Sequence, residues 1–120
     1  MSISTSKTIN LLRALSGQEN TYTIPKLYVR LTGCHVRALI LNQLVFYSDK
    51  STRHDNDWFD KPYHVWEKET FVQERTLRNI LSEFKNRNWC ESRTIKVHGI
   101  RTLTCRPLLE NILKDLNDML

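Results

Sequence analysis

The stretch that decides the fold is Glu67–Trp89, EKETFVQERTLRNILSEFKNRNW. It reads as the end of a short helix, a tight break, and a longer helix of about Glu74 to Arg87. Asn88 closes that helix, being the residue that best tolerates the left-handed conformation after glycine. Two helices that cross steeply must bury a shared seam, so apolar residues have to recur at fixed offsets. Counted from Tyr63, the seam falls on Trp66, Thr70, Val72, Leu77 and Ile80, and only Thr70 is not clearly apolar. Three positions depart from the usual pattern. Phe71 stands where a glycine commonly makes the turn. Glu67 occupies a place where a small residue lets the helices approach, and Gln73 is a weak N-cap where Ser, Thr or Asp is expected.

With Leu77, Ile80, Leu81 and Phe84 turned inward, the opposite side of the second helix carries Arg75, Arg78, Asn79, Ser82 and Asn86. Glu83 is the one acid expected to flank that face. Arginine pairs bidentately with guanine, asparagine with adenine, and serine bonds to bases or phosphate. The competing reading is a solvated helix that only fills one side of a core.

Downstream, WCESRTIKV-HG-IRTLTCR has the form of two strands around a turn at His98-Gly99, where Gly99 supplies a positive φ. Pairing Val97 with Ile100 sets Thr94 opposite Leu103 and Ser92 opposite Cys105. Cys90, Ser92, Thr94, Leu103 and Cys105 then share one face, with Glu91 and Arg93 on the other. The tip, from Lys96 to Arg101, presents cations on both sides of the turn. As a plain alternative, a basic tip is simply a soluble edge.

Upstream, WFDKP reads as a strand running into a helix of Pro62 to Thr70, with Pro62 at the first helical position. KSTRHDND is a polar loop. Its His54, Asp55 and Asp57 lack both the glycine turn and terminal glutamate of a calcium loop and the paired histidines of a zinc helix. HVRALILNQLVFYSD is apolar almost all round, Phe46 included, and is expected to be a central helix. Pro25 suits the first turn of a short helix ending near Gly33. A further amphipathic helix runs from Ser6 to Leu15, with Gly17 as its stop. The closing PLLENILKDLNDML places Leu109, Ile112, Leu113, Leu116 and Leu120 on one stripe with mainly acidic polar positions. Such a helix is a poor DNA contact and packs on the domain or on a second copy. Trp58, Trp66, Phe84 and Trp89 read as core, with Trp89 expected to be partly exposed where it opens the ribbon.

The chain has 120 residues, one domain's worth, and a formal net charge of +5. Its pI is near 9.3. From Lys61 to Arg106 there are ten Lys or Arg against five acids, so a surplus equal to the whole net charge lies in that segment. This is the footprint expected of a phosphate-binding surface. Three cysteines, widely spaced and without a C-x-x-C pair, read as reduced thiols, and Cys90 and Cys105 as core. No apolar run approaches a membrane span and no signal-peptide pattern opens the chain, so a cytoplasmic protein is expected. An enzyme is disfavoured: there is no nucleophile with a paired base, no acidic cluster and no phosphate-cradling glycine loop. His35, His54, His64 and His98 share no ligand spacing, and neither metal nor cofactor is expected.

DWFDKPYHVWEKETFVQERTLRNILSEFKNRNWCESRTIKVHGIRTLTCR resembles the winged-helix domain of phage and plasmid replication proteins. The likeness is carried by Trp58, Phe59, Tyr63, Trp66, Glu69, Thr70, Arg75, Leu77, Arg78, Leu81 and Asn88. IPKLYVRLTG and ALILNQLVFYSDKS also resemble the segments that precede that domain, so about residues 24–106 are covered. The resemblance implies an α+β, mainly helical winged helix-turn-helix with a two- or three-stranded wing. Helices at 6–15 and 107–120 would flank it in a single domain. It also implies duplex or single-strand DNA binding in replication or mobile-element maintenance.

On that reading Gln73, Arg75, Arg78, Asn79 and Ser82 lie in or beside the major groove, while Lys85, Lys96, His98 and Arg101 hold phosphates. The alternative is a winged-helix interaction module that docks a replication or host protein and does not need DNA. In either case the terminal helices are candidates for pairing two copies.

Overall fold

A computed structural model describes residues 3–16, 23–48, 53–54 and 58–120, and within these the chain is a mainly helical α+β fold. Strand β2 (Trp58–Pro62) runs directly into helix α4 (Tyr63–Thr70). Pro62 does not open the helix as expected. It stays extended (φ −59°, ψ 145°) and paired with Thr102 in the sheet, so it ends the strand and caps the helix at once. α4 stops where Phe71 turns left-handed (φ 57°, ψ 22°) and donates its N–H to the Glu67 carbonyl at 2.8 Å.

Phenylalanine is tolerated at this turn because its ring points into solvent, 83% exposed. The Thr70 hydroxyl braces the break: it donates to the Trp66 carbonyl at 2.6 Å and accepts the Val72 N–H at 3.2 Å. Gln73 then caps α5 (Glu74–Asn86) in an extended conformation without any side-chain bond. α5 ends one residue before the expected Arg87, which has φ −86° and ψ 0°. The reason is a Schellman closure. Asn88 is left-handed (φ 62°), its N–H donates to Lys85, and the Trp89 N–H donates to Phe84 at 2.9 Å.

The remaining strands are β1 (Arg53–His54), β3 (Cys90–Val97) and β4 (Ile100–Pro107), in the antiparallel order β1-β2-β4-β3. Val97 faces Ile100, Thr94 faces Leu103 and Ser92 faces Cys105, as the turn at His98-Gly99 predicts. Both turn residues have positive φ (51° and 79°), which matches the twist of a two-residue hairpin. The sheet is larger than a two- or three-stranded ribbon. Arg53 and His54, expected in a loop, pair with Phe59 and Trp58 along the open edge of β2. Asp55 and Asp57 lie outside the described residues. β4, flanked on both sides, is buried from Thr102 to Cys105, whereas β3 at the edge is largely exposed beyond Ser92.

Helix α3 (His35–Ser48) is the central element, with Ala38, Leu39, Ile40, Leu41 and Leu44 buried. Val36 and Phe46 are exceptions to its all-round apolar reading: both are exposed, and Phe46 meets Tyr47 edge-on at 5.4 Å. α2 (Lys26–Thr32) precedes it, capped by an extended Pro25 rather than beginning with it, and closed by left-handed Gly33. Tyr63 and all five seam positions, Trp66, Thr70, Val72, Leu77 and Ile80, are buried. All but Thr70 join Ile40, Leu44, Phe59, Phe84, Leu103 and Cys105 in one cluster.

Trp89 is fully buried, contrary to the expectation of partial exposure. Helix α6 (Leu109–Met119) lies over it, and its indole N–H donates to Asp115 at 2.6 Å. On α6 only Ile112 is buried and Leu116 partly so, while Leu109, Leu113 and the capping Leu120 just beyond its end stay exposed. α1 (Ile3–Leu15) is longer than the expected Ser6–Leu15, and Gly17 lies outside the described residues. Cys90 and Cys105 are buried thiols. Its bond to Cys90, reinforced by burial, pushes Cys105 well above the ordinary thiol range. No helix among the described residues is long and apolar enough to cross a membrane.

Among the described residues one charged side chain is buried. Lys61 is almost fully buried, with its ammonium ion-paired to Glu69 and placed 3.9 Å from the Tyr47 ring centre and 4.3 Å from that of Trp66. The Tyr47 hydroxyl donates to the same carboxylate at 2.9 Å. Burial lowers the Lys61 pKa against the pull of Glu69, and burial followed by Glu69 raises that of Tyr47 to about 12.

Two predictions follow from this architecture. Phe71→Gly is expected to raise the urea midpoint by the equivalent of ~1 kcal/mol, because glycine adopts positive φ without the Cβ clash; an unchanged or lower midpoint would show that the turn is unstrained. The second concerns alkali. The unfolded chain releases the Tyr47 proton near its ordinary value of 10.0, whereas the fold holds it to about 12. This contribution is therefore intact below pH 10 and lost between about 10 and 12. Lys61 acts in the opposite sense, since its folded pKa is depressed and stability rises as pH climbs toward the ordinary lysine range. Tyr47→Phe should flatten or reverse the fall of the unfolding midpoint over that window, and a decline as steep as that of the native chain would count against the Tyr47 assignment.

Candidate functional site

α5 buries Leu77, Ile80, Leu81 and Phe84, and its strong amphipathicity leaves Arg75, Arg78, Asn79, Ser82, Lys85 and Asn86 exposed on the other side. α6 docks against α2 and Trp89 and leaves this face open. Gln73, also exposed, stands at the start of the helix with its amide uncommitted to the cap. The hairpin tip is exposed from Lys96 through Arg101. All nine residues singled out from sequence are thus on the surface.

Arg101 joins the two elements. Its guanidinium grips Glu74, the first residue of α5, through Nε–Oε1 at 3.2 Å and Nη2–Oε2 at 2.6 Å. This two-pronged geometry fixes orientation as well as distance. Arg78 approaches the same carboxylate at 3.8 Å. The Arg101 contact holds the Glu74 carboxyl below its usual range, and the carboxylate also suits the positive end of the helix dipole. An exposed pair of this kind is screened by solvent and adds little to stability, so its effect is positional. It also offsets the like-charge pairing of Lys96 directly opposite Arg101.

This geometry corrects the charge reading of the face. Glu83 is turned away to Arg37 of α3, at 2.5 and 2.7 Å. Glu74 is the acid that belongs to the surface, and Arg101 is a paired cation rather than a free one. Among the described residues, Arg75, Lys85 and Lys96 have no carboxylate partner.

A groove of about 250 Å³ lies between α5 and β3. Arg78, Ser82 and Lys85 form the helix side, Ser92, Arg93 and Thr94 the strand side, and Leu81 and Leu103 the floor. The Thr94 hydroxyl shares a 2.7 Å bond with the Tyr63 phenol. No carboxylate is among the described residues that line this groove. Ser92, Arg93 and Thr94 were not singled out from sequence, although the hairpin register already placed Ser92 and Thr94 on the face toward the helix. Arg93 also stacks on Trp58, with 4.9 Å between guanidinium and ring centre.

A larger cavity, about 440 Å³, sits at the β4–α6 junction beside Arg106 and Glu110. Among the described residues it gathers no nucleophile with a base. Among the described residues no group of three His, Cys, Asp or Glu side chains converges on a point that could hold a metal. Set against protein-family models, curated proteins and solved structures, the chain finds no match.

Proposed function

We propose that the chain is a winged-helix DNA-binding protein of a phage, plasmid or other mobile element, acting in replication or its regulation. α5 is the recognition helix and β3–β4 the wing. The observation that carries this reading is the open polar face of α5 tied to a basic hairpin by the Arg101–Glu74 pair. Arg75, Arg78, Asn79 and Ser82 have the chemistry to read base edges in the major groove, with Gln73 beside them. Lys85 and Lys96, with His98 and Arg101, serve backbone phosphates. The acid-free groove between α5 and β3 suits a phosphate as well. Glu74 tempers attraction to DNA in general, so binding depends more on base contacts.

A second reading is favoured by one observation, the exposed leucines of α1 and α6. On it, the same winged helix is an adaptor or inhibitor that captures a replication or host protein without DNA.

Fluorescence anisotropy with duplex and single-stranded oligonucleotides at two salt concentrations tests the first reading. The logarithm of affinity should fall with the logarithm of salt by ~0.9 for each phosphate neutralised, or a slope of roughly −4 for four or five contacts on duplex. Binding weaker than micromolar with no salt slope removes the proposal. Two substitutions separate the roles. Arg78→Ala should reduce discrimination between DNA sequences by ~1–3 kcal/mol, whereas Lys96→Ala should weaken all sequences alike and reduce the slope by about one. Glu74→Gln is expected to raise affinity for unrelated DNA and narrow the gap to the preferred site.

A further inference from the structure

We infer that the chain forms a two-fold dimer in which α1 of each copy lies along α6 of the other. α1 is a 13-residue helix whose Leu11, Leu12 and Leu15 are left 57–77% exposed. A helix of that length standing free in water is marginal, so α1 requires a surface to cover its apolar side. α6 offers one. Its inner side is committed to the core through Ile112, Leu116 and the Asp115–Trp89 bond, while Leu109, Leu113 and Leu120 form a second, exposed stripe beside it. The spacings match: Leu11 and Leu15 are one turn apart, as are Leu109 and Leu113, with Leu120 two turns further on.

Charge selects which helices meet. α1 carries Lys7 and Arg13 and no acid. α6 carries Glu110, Asp115 and Asp118 against a single Lys114. Pairing α1 with its own kind sets cation against cation, and pairing α6 with α6 sets acid against acid. Only α1 on α6 joins opposite signs. The chain's own α6 leaves the α1 leucines uncovered, which assigns the contact to a second copy. A two-fold axis makes the contact twice, and the arrangement closes on itself. A stable interface needs ~1,200 Å² in total; one helix pair of this size supplies roughly half, and two reach it.

This inference does not rest on DNA binding, and its test contains no DNA. Size-exclusion chromatography with light scattering, from about 1 to 100 µM, should show the full chain at twice its 14.3 kDa mass. Its urea midpoint should rise with concentration. Leu11→Glu with Leu15→Glu should give a monomer, as should Leu109→Lys with Leu113→Lys. An equimolar mixture of the two variants should restore the dimer, since each defect then faces its complement. The α1 substitutions lie outside the core, so an unchanged near-ultraviolet circular dichroism signal from the buried Trp66 and Trp89 separates lost pairing from lost folding, even as α1 itself loses helicity. A native chain that stays monomeric overturns the inference. So does a mixture that fails to associate, or dissociation from one side only, as α1–α1 or α6–α6 pairing requires. Capture by lipid vesicles or an unrelated protein while the chain remains monomeric would overturn it too.

Discussion

The seam between α4 and α5 is the constraint on which the rest of the molecule depends. Trp66 from one helix and Leu77, Ile80 and Leu81 from the other are buried together, and the Thr70 hydroxyl pins the break between them. Once those apolar positions face the core, helical geometry leaves no choice about where Arg75, Arg78, Asn79 and Ser82 point. The polar face is therefore a consequence of packing on its reverse side. Cavity-forming changes in the seam, far from any ligand, would misplace the side chains proposed to read DNA, because packed interiors transmit small volume changes.

The hairpin is oriented by two agents of different strength. Its base is held by β2, by the α5 closure at Asn88 and by the burial of Trp89 beneath α6. Its reach toward α5 is set by the exposed Arg101–Glu74 pair. The base is a packing decision and indifferent to salt, whereas the outer pair is screened by it. The distance between helix and hairpin is accordingly the softer coordinate of the proposed DNA surface, and it is the one a bound phosphate would adjust.

Much of this architecture was legible in the residues because local chemistry and global fold agree. The apolar offsets from Tyr63 to Ile80, the turn at His98-Gly99 and the left-handed tolerance of Asn88 each point to one backbone solution. The misreadings have physical causes. Pro62 and Pro25 fit a first helical turn equally well by φ alone, and only the neighbouring strand or chain direction sets ψ. Trp89 looked like a rim residue because nothing local announces that α6 returns over it with Asp115. The face of α5 was legible as a list of side chains but not as a charge pattern. Whether Glu74 or Glu83 belongs to it is decided by Arg101 and Arg37, which are 27 and 46 residues away along the chain.

The buried Lys61 bears on how this sequence is free to drift. Its ammonium is tolerated only because Glu69 and two aromatic faces surround it. Loss of Glu69 alone strands a buried ammonium, whereas loss of Lys61 leaves a partly exposed carboxylate still bonded to the Tyr47 hydroxyl. The dependence is thus one-sided: a lysine at 61 is expected only where 69 is acidic, while an acid at 69 does not require the lysine. A lineage that gives up the ionic arrangement would shed the lysine first, and the reverse order passes through a disfavoured intermediate.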